Sequence, residues 1–174
     1  MWCYTHVGVF LNMHLLKQGL INLDVSLNDL QVNQFHQYYQ GLIEWNKRIN
    51  LTRITKYPEV QTKHFLDSLL VSIFIPRVVR ESGQIIDVGS GAGFPGLPLK
   101  IAFPQMRLTL VESIKKKSLF LNYIVDALKL PKVDIHTGRA ETLAHQLALR
   151  ETYDLALARS LAPLNTLVEL TLPF

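Results

Sequence analysis

The sequence predicts an α/β fold, a Rossmann-like parallel sheet covered by helices on both faces and preceded by a helical section. Two observations carry it. Residues up to about 80 show apolar positions at helical steps, whereas from Gln84 onward short buried-type strands alternate with helical stretches. A glycine-rich loop follows the first of those strands. The chain therefore divides, as an expectation, into a helical cap over residues 1–80 and a Rossmann-like core over 81–174.

The elements follow in order. Met1 to Asn22 carries no usable pattern. Ser26 with Asp29 resembles a capping box, and Leu27, Leu30, Phe35, Tyr38, Leu42, Trp45 and Ile49 recur at steps of three to five, an amphipathic helix. Asn50 to Lys56 reads as a turn. Pro58 suits the first turn of a second helix, with Val60, Phe65, Leu69 and Ile73 on its buried stripe and Pro76 at its end. Strands are expected at Gln84–Val88, Arg107–Glu112, Lys132–Thr137 and Tyr153–Ala158. Helices are expected at Ile114–Lys129 (Phe120, Leu121, Ile124, Val125 and Leu128 inward), at Glu141–Arg150 and at Leu164–Leu172. Right-handed crossovers from a central first strand give the order 3-2-1-4. The fourth strand is then an edge, yet Leu155-Ala156-Leu157-Ala158 is apolar throughout, as if further strands should follow Phe174.

Composition narrows the class. The 174 residues are 48% hydrophobic and 18% charged, which suits a packed core rather than a disordered chain. Eighteen basic against 14 acidic residues give a formal charge of +4, which permits a polyanionic partner without requiring one. The single cysteine, Cys3, excludes an internal disulfide framework and a multi-cysteine zinc site. With no disulfide to keep, the reducing cytoplasm is the expected compartment. Val7 to Leu11 is apolar but lacks a preceding basic residue and a small-residue cleavage site, and Leu69 to Val79 is broken by Pro76 and Arg77. A soluble protein is expected, with no membrane or metal partner.

The loop Asp87-Val88-Gly89-Ser90-Gly91-Ala92-Gly93-Phe94-Pro95-Gly96 admits two ligands. From Gly91 it fits G-x-G-x-x-G, the dinucleotide fingerprint of a nicotinamide oxidoreductase. From Asp87 it reads D-x-G-x-G-x-G and looks like the S-adenosylmethionine loop of class I methyltransferases. The second reading uses Asp87, which the first leaves idle. In both, Glu112 closes strand two and would accept hydrogen bonds from ribose hydroxyls. A ligand-free glycine turn is the bland alternative.

Further strings resemble one family, the bacterial small-subunit rRNA 7-methylguanosine methyltransferases (RsmG, also called GidB). They are Trp45-Asn46-Lys47-Arg48-Ile49-Asn50-Leu51-Thr52; Lys63-His64-Phe65-Leu66-Asp67-Ser68-Leu69; Asp87 through Leu99; Val111-Glu112-Ser113 with Lys116, Lys117, Phe120 and Leu121; Arg139-Ala140-Glu141; and Ala158-Arg159-Ser160 leading to Pro163-Leu164. They run in the family's order over roughly residues 26 to 174. Ser160 stands where the family usually has alanine, and the family continues with a fifth strand and a final hairpin.

The resemblance implies a class I S-adenosylmethionine-dependent methyltransferase fold with a helical amino-terminal cap, its carboxyl-terminal strands missing. It implies methyl transfer to N7 of a guanosine in the 530 loop of 16S rRNA, presented as free RNA or in the 30S subunit, by a monomer. Gly89, Phe94, Ala140, Glu141 and Arg159 match cofactor-contact positions, and Asp87, Gly91 and Glu112 follow from the general methyltransferase pattern. Arg159 is also the candidate catalytic residue, near the methionine end and the target base; a strand-end ion pair is its alternative. Lys47, Arg48, Lys116 and Lys117 are candidate RNA contacts, each also readable as a solvated charge. A non-catalytic RNA-binding remnant remains open beside both enzymes. His64 reads as a packed histidine or an RNA contact, Asp67 as a local cap or pair, and Trp45 as core.

Overall fold

The computed structural model describes residues 13–23 and 25–174. Cys3 and the run Val7 to Leu11 lie outside the described residues.

The amino-terminal part is helical. It comprises α1 (His14–Leu20), α2 (Asp29–Asn46), α3 (Tyr57–Val60), a wide π-helical stretch Gln61–Leu66, α4 (Asp67–Leu70), a 3-10 turn Val71–Phe74 and α5 (Arg77–Ser82). The sheet follows: β1 (Gln84–Val88), α6 (Gly96–Ala102), β2 (Arg107–Glu112), α7 (Lys115–Ala127), β3 (Val133–Thr137), α8 (Ala140–Leu143), β4 (Leu155–Leu157) and α9 (Leu164–Thr171). All pairings are parallel, in the order β3-β2-β1-β4, as the crossover rule predicts.

Side chains of the central strands alternate between two cores. Ile85, Leu108 and Leu110 pack toward the helical cap, α6 and α7; Ile86, Val88 and Val111 pack on the opposite face against Ala140, Leu143, Ala144, Leu149 and Phe174. The first core also takes Leu16, Phe35, Tyr38, Leu42 and Phe65 from the cap, so cap and sheet share one apolar interior. The five inward residues expected of α7 are all buried.

Several elements differ from expectation. The capping box of α2 is Asn28 with Gln31, one accepting from the other's backbone N–H in each direction, rather than Ser26 with Asp29. Leu30 points outward at 66% exposure. Gln31 takes the inner position because its amide donates to the carbonyls of Ile101 and Ala102, which the end of α6 leaves unpaired. Along the next helix Val60, Phe65 and Leu69 are buried as expected, but Ile73 is exposed and Ser72 is buried. The π stretch and the 3-10 turn each shift the angular register, so straight α-helical counting fails there.

The helix expected over Glu141–Arg150 ends at Leu143 and continues as turns closed by Gln146 N–H to Leu143 O and Leu149 N–H to Gln146 O. A continuous helix would set Leu149 about 240° around from Leu143. Unwinding lets both enter the same core. β4 spans Leu155–Leu157 rather than Tyr153–Ala158, because the N–H groups of Thr152 and Tyr153 donate to Phe174 O. Two short helices, α1 and α5, carried no readable pattern. Gln61 Oε1 accepts the N–H groups of Leu15 and Leu16 at the start of α1 and ties it to the π stretch.

No helix among the described residues is long and apolar enough to cross a membrane.

Candidate active site

Strand order places the site. β2 and β4 leave β1 in opposite directions, so a crevice opens beyond the carboxyl ends of β1 and β4. The glycine loop enters it from β1, and Arg159 enters from the segment after β4. The helical cap closes the third side with Leu51, Thr52, His64 and Asp67. The resulting cleft has a volume of about 970 Å³.

The loop is held from beneath and from the side. Gly89 and Ser90 N–H groups donate to Val111 O, at 2.8 and 3.0 Å. Ser90 Oγ donates to Asp87 O at 2.8 Å. Glu112, 4% exposed, accepts Gly91 N–H on Oε2 and Ile114 N–H on Oε1, both at 2.8 Å. One carboxylate therefore joins the loop to the start of α7 while lining the cleft. Gly91 has φ +59°, and a Cβ there would meet nothing closer than 3.9 Å. Positive φ favours glycine, and the space above it belongs to the cleft.

Asp87 behaves differently from expectation. It shares the face of β1 that carries Ile85, is fully buried and is not among the residues lining the cleft. Its Oδ2 accepts the N–H of Gly96 at 2.9 Å. A Cβ on Gly96 would lie 2.8 Å from that oxygen, so the close approach requires glycine at the first position of α6. Among the described residues Oδ1 has no hydrogen-bond partner. Burial, with the nearby Glu112 carboxylate, pushes the Asp87 carboxyl up to about 7, against the pull of Gly96 N–H and Arg159. Asp87 lies beneath the loop, bonded to Gly96, and does not line the cleft.

Arg159 is the best-held cation of the site. Its Nη1 donates to Asp67 Oδ2 at 2.6 Å and to Lys63 O at 3.5 Å. Its Nη2 lies 3.4 Å from His64 Nδ1, and its guanidinium carbon sits 5.1 Å above the Phe94 ring centroid. His64 stacks on the same ring at 4.4 Å and 13°, with Nε2 2.8 Å from Thr52 Oγ1. Burial and the Arg159 charge hold the His64 imidazole down at about 4, so it is neutral at physiological pH. A neutral ring can accept from Arg159 on Nδ1 only if Nε2 carries the proton, which then goes to Thr52 Oγ1. Phe94 is stacked in turn by Tyr38, whose hydroxyl donates to Ala92 O at 2.5 Å. Asp67 thus pairs with a residue 92 positions on, not locally.

The other predicted positions divide into groups. Gly89, Gly91, Phe94, Glu112 and Arg159 line the main cleft together. Ala140 and Glu141 line a smaller adjoining recess of about 60 Å³. Leu161, which sequence reasoning missed, borders both spaces, with Gly89 and Ser113. A Cβ on Gly89 would meet the Leu161 side chain at 2.7 Å, so that leucine rests on the loop. Lys47, Arg48, Lys116 and Lys117 converge on one depression between the end of α2 and the start of α7, and Lys117 also borders the cleft. Glu44 partly neutralises that surface, lying 2.6 Å from Lys47 Nζ and 3.6 Å from Arg48 Nη2. Trp45 packs on Phe120 and Tyr123, at 5.7 and 5.2 Å between centroids. Among the described residues no cluster of three His, Cys, Asp or Glu could hold a metal ion.

Comparison with known proteins places these features in a lineage. The model of the GidB family, rRNA small subunit methyltransferase G, matches residues 31–174. A Ribosomal RNA small subunit methyltransferase G from Leuconostoc citreum is 48% identical over 156 residues, covering 90% of this chain and 65% of the relative. The protein of that name from Dehalococcoides mccartyi is 49% identical over 162 residues, covering 93% and 68%. The chain thus spans about two thirds of the length of these relatives. Among solved structures, a protein-L-isoaspartate O-methyltransferase aligns with a TM-score of 0.53 at 13% identity, over 84% of this chain and 47% of that one. The O-methyltransferase from Bacillus cereus in complex with SAH aligns with a TM-score of 0.51 at 13% identity, over 83% and 60%. Likeness at this distance shows the class I methyltransferase fold.

Proposed function

The chain belongs to the rRNA small subunit methyltransferase G family, and on that premise we propose that it transfers a methyl group from S-adenosylmethionine to N7 of a guanosine in the 530 loop of 16S rRNA. The observation that carries the reading is the convergence of the glycine loop, Glu112 and Arg159 on one cleft.

The residues fit the cofactor. Glu112 is an acceptor at the carboxyl end of β2, where a ribose would be held, and Gly91 leaves open space beside it. Ala140 and Glu141 border the adjoining recess and are assigned to the adenine side. Bound there, S-adenosylmethionine supplies an electrophilic methyl on a sulfonium centre. Guanine N7 carries a lone pair and no proton, so the chemistry asks for no general base. Neutral His64, committed to Thr52 and Arg159, agrees with that. The protein's work is alignment: Arg159 holds guanine O6 or the cofactor carboxylate, in a pose set by Asp67, His64 and Phe94. The target base leaves its stack to enter the cleft.

The test is methyl incorporation into small-subunit RNA from a strain lacking the native enzyme, with the modified base mapped by reverse transcription. Incorporation at N7 of a 530-loop guanosine is the expected result. Tight nicotinamide-cofactor binding without S-adenosylmethionine binding would overturn the reading, as would RNA binding without methyl transfer.

The basic depression carries its own prediction. Replacing Lys116 and Lys117 together with alanine should weaken RNA binding and lower the slope of log affinity against log salt by about 1 to 2, since each lost phosphate contact removes ~0.7 to 0.9. A filter-binding series across salt concentrations checks it.

A further inference from the structure

Resting on the reading of guanine N7 as methyl acceptor, we infer that Asp67 and Arg159 act as one guanine-selecting pair, Asp67 accepting the base N1–H while Arg159 donates to O6. The pair is built for a neighbouring acceptor and donor. Arg159 Nη1 and Asp67 Oδ2 are 2.6 Å apart, and both side chains line the cleft. Asp67 is half exposed at 50%, and a carboxylate offers about four lone-pair directions, so the bond to Arg159 leaves it capacity to accept again. Arg159 has five N–H donors, and its contacts with Asp67, Lys63 O and His64 use three of them. Those contacts and the Phe94 face fix the guanidinium without exhausting it.

Guanine presents O6, an acceptor, directly beside N1–H, a donor. That order matches donor Arg159 beside acceptor Asp67. Adenine presents an amino group and an unprotonated N1 at the same edge, which sets donor against donor and lone pair against lone pair. Uracil shares the edge but has no N7 to methylate. A base held by O6 and N1 keeps N7 uncovered. The apolar walls Leu51, Ile54, Leu66 and Leu70 line the same side of the cleft and suit the faces of a base. Asp67 comes from α4, so the helical cap contributes to selectivity and does more than cover the sheet.

The experiment compares kcat/KM for methyl transfer to RNA carrying either guanosine or N1-methylguanosine at the target position. The second base keeps O6 and N7 but carries a methyl group in place of the N1 proton, so it can neither donate to Asp67 nor approach it as closely. The unaltered chain should prefer guanosine tenfold or more, Asp67→Ala should bring the two within about threefold, and Asp67→Glu should restore the preference. A merely structural role would lower both rates and leave their ratio standing. The ratio in the unaltered chain needs no variant, so it reads out even if Asp67→Ala folds poorly. Equal rates for the two bases in the unaltered chain, or a preference retained by Asp67→Ala, would overturn the pair while leaving the methyltransferase reading intact. No transfer to any guanosine would remove that reading and this inference together.

Discussion

At pH 8, Asp87→Asn is expected to melt at a higher temperature than the unaltered chain, and the difference should vanish as the pH falls to 4. Asp87 is fully buried and keeps one oxygen on Gly96 N–H, and among the described residues the other has no partner. Its carboxyl is pushed from 3.8 up to about 7, first by burial. The sign follows from proton binding. Between pH 4 and 7 the folded chain holds a proton on Asp87 that the unfolded chain has released, so stability falls as the pH rises through that window. Below it both states are protonated, and above it both are ionised. The gap between 3.8 and about 7 corresponds to ~4 kcal/mol of lost stability across the window. Asparagine keeps the shape, can accept from Gly96 and carries no charge to desolvate. Thermal melts at half-unit pH steps would show the slope in the unaltered chain and its flattening in the variant. A slope that survives the substitution would assign it to other groups.

The same residue shows what sequence can and cannot supply. The string from Asp87 to Gly96, read after a buried strand, gave the loop, its place in the sheet and Glu112 as its acidic neighbour. Those are local facts, fixed by spacing. Whether Asp87 faces a ligand or lies beneath the loop depends on which side of β1 it takes and on the missing Cβ of Gly96, 9 residues on. The web around Arg159 was harder to see. Asp67 and His64 lie more than 90 positions from their partner, in a helix whose π stretch breaks the usual spacing, so the sequence offers only a local cap or pair for Asp67 and a packed histidine or RNA contact for His64. Leu161 had no signal beyond its place two residues after Arg159. The basic quartet was legible singly, from the family strings; that its members meet in one depression is a tertiary fact.

Glu112→Ala should weaken S-adenosylmethionine binding about a hundredfold or more, the largest functional loss expected of any single change in the cleft. Three effects coincide at this carboxylate. It is the acceptor proposed for the ribose hydroxyls, and bonds to a charged group contribute ~1.5 to 3 kcal/mol each. It is 4% exposed, so alanine leaves a gap at the base of the cleft. It also holds Gly91 N–H and Ile114 N–H, so its loss frees the loop and the start of α7 together. Glu112→Gln separates these effects. One amide oxygen can still accept, but the amide nitrogen cannot, so either Gly91 or Ile114 loses its partner and a smaller loss of about tenfold is expected. Titration calorimetry with S-adenosylmethionine measures both variants, and circular dichroism shows whether each remains folded. Were Glu112→Ala folded and still binding within threefold of the unaltered chain, the acid that closes β2 could not be the sugar's acceptor. The cofactor would then have to lie elsewhere in the cleft. The graded order alanine, glutamine, glutamate is what a carboxylate with two duties predicts, because glutamine relinquishes only one of the two backbone partners.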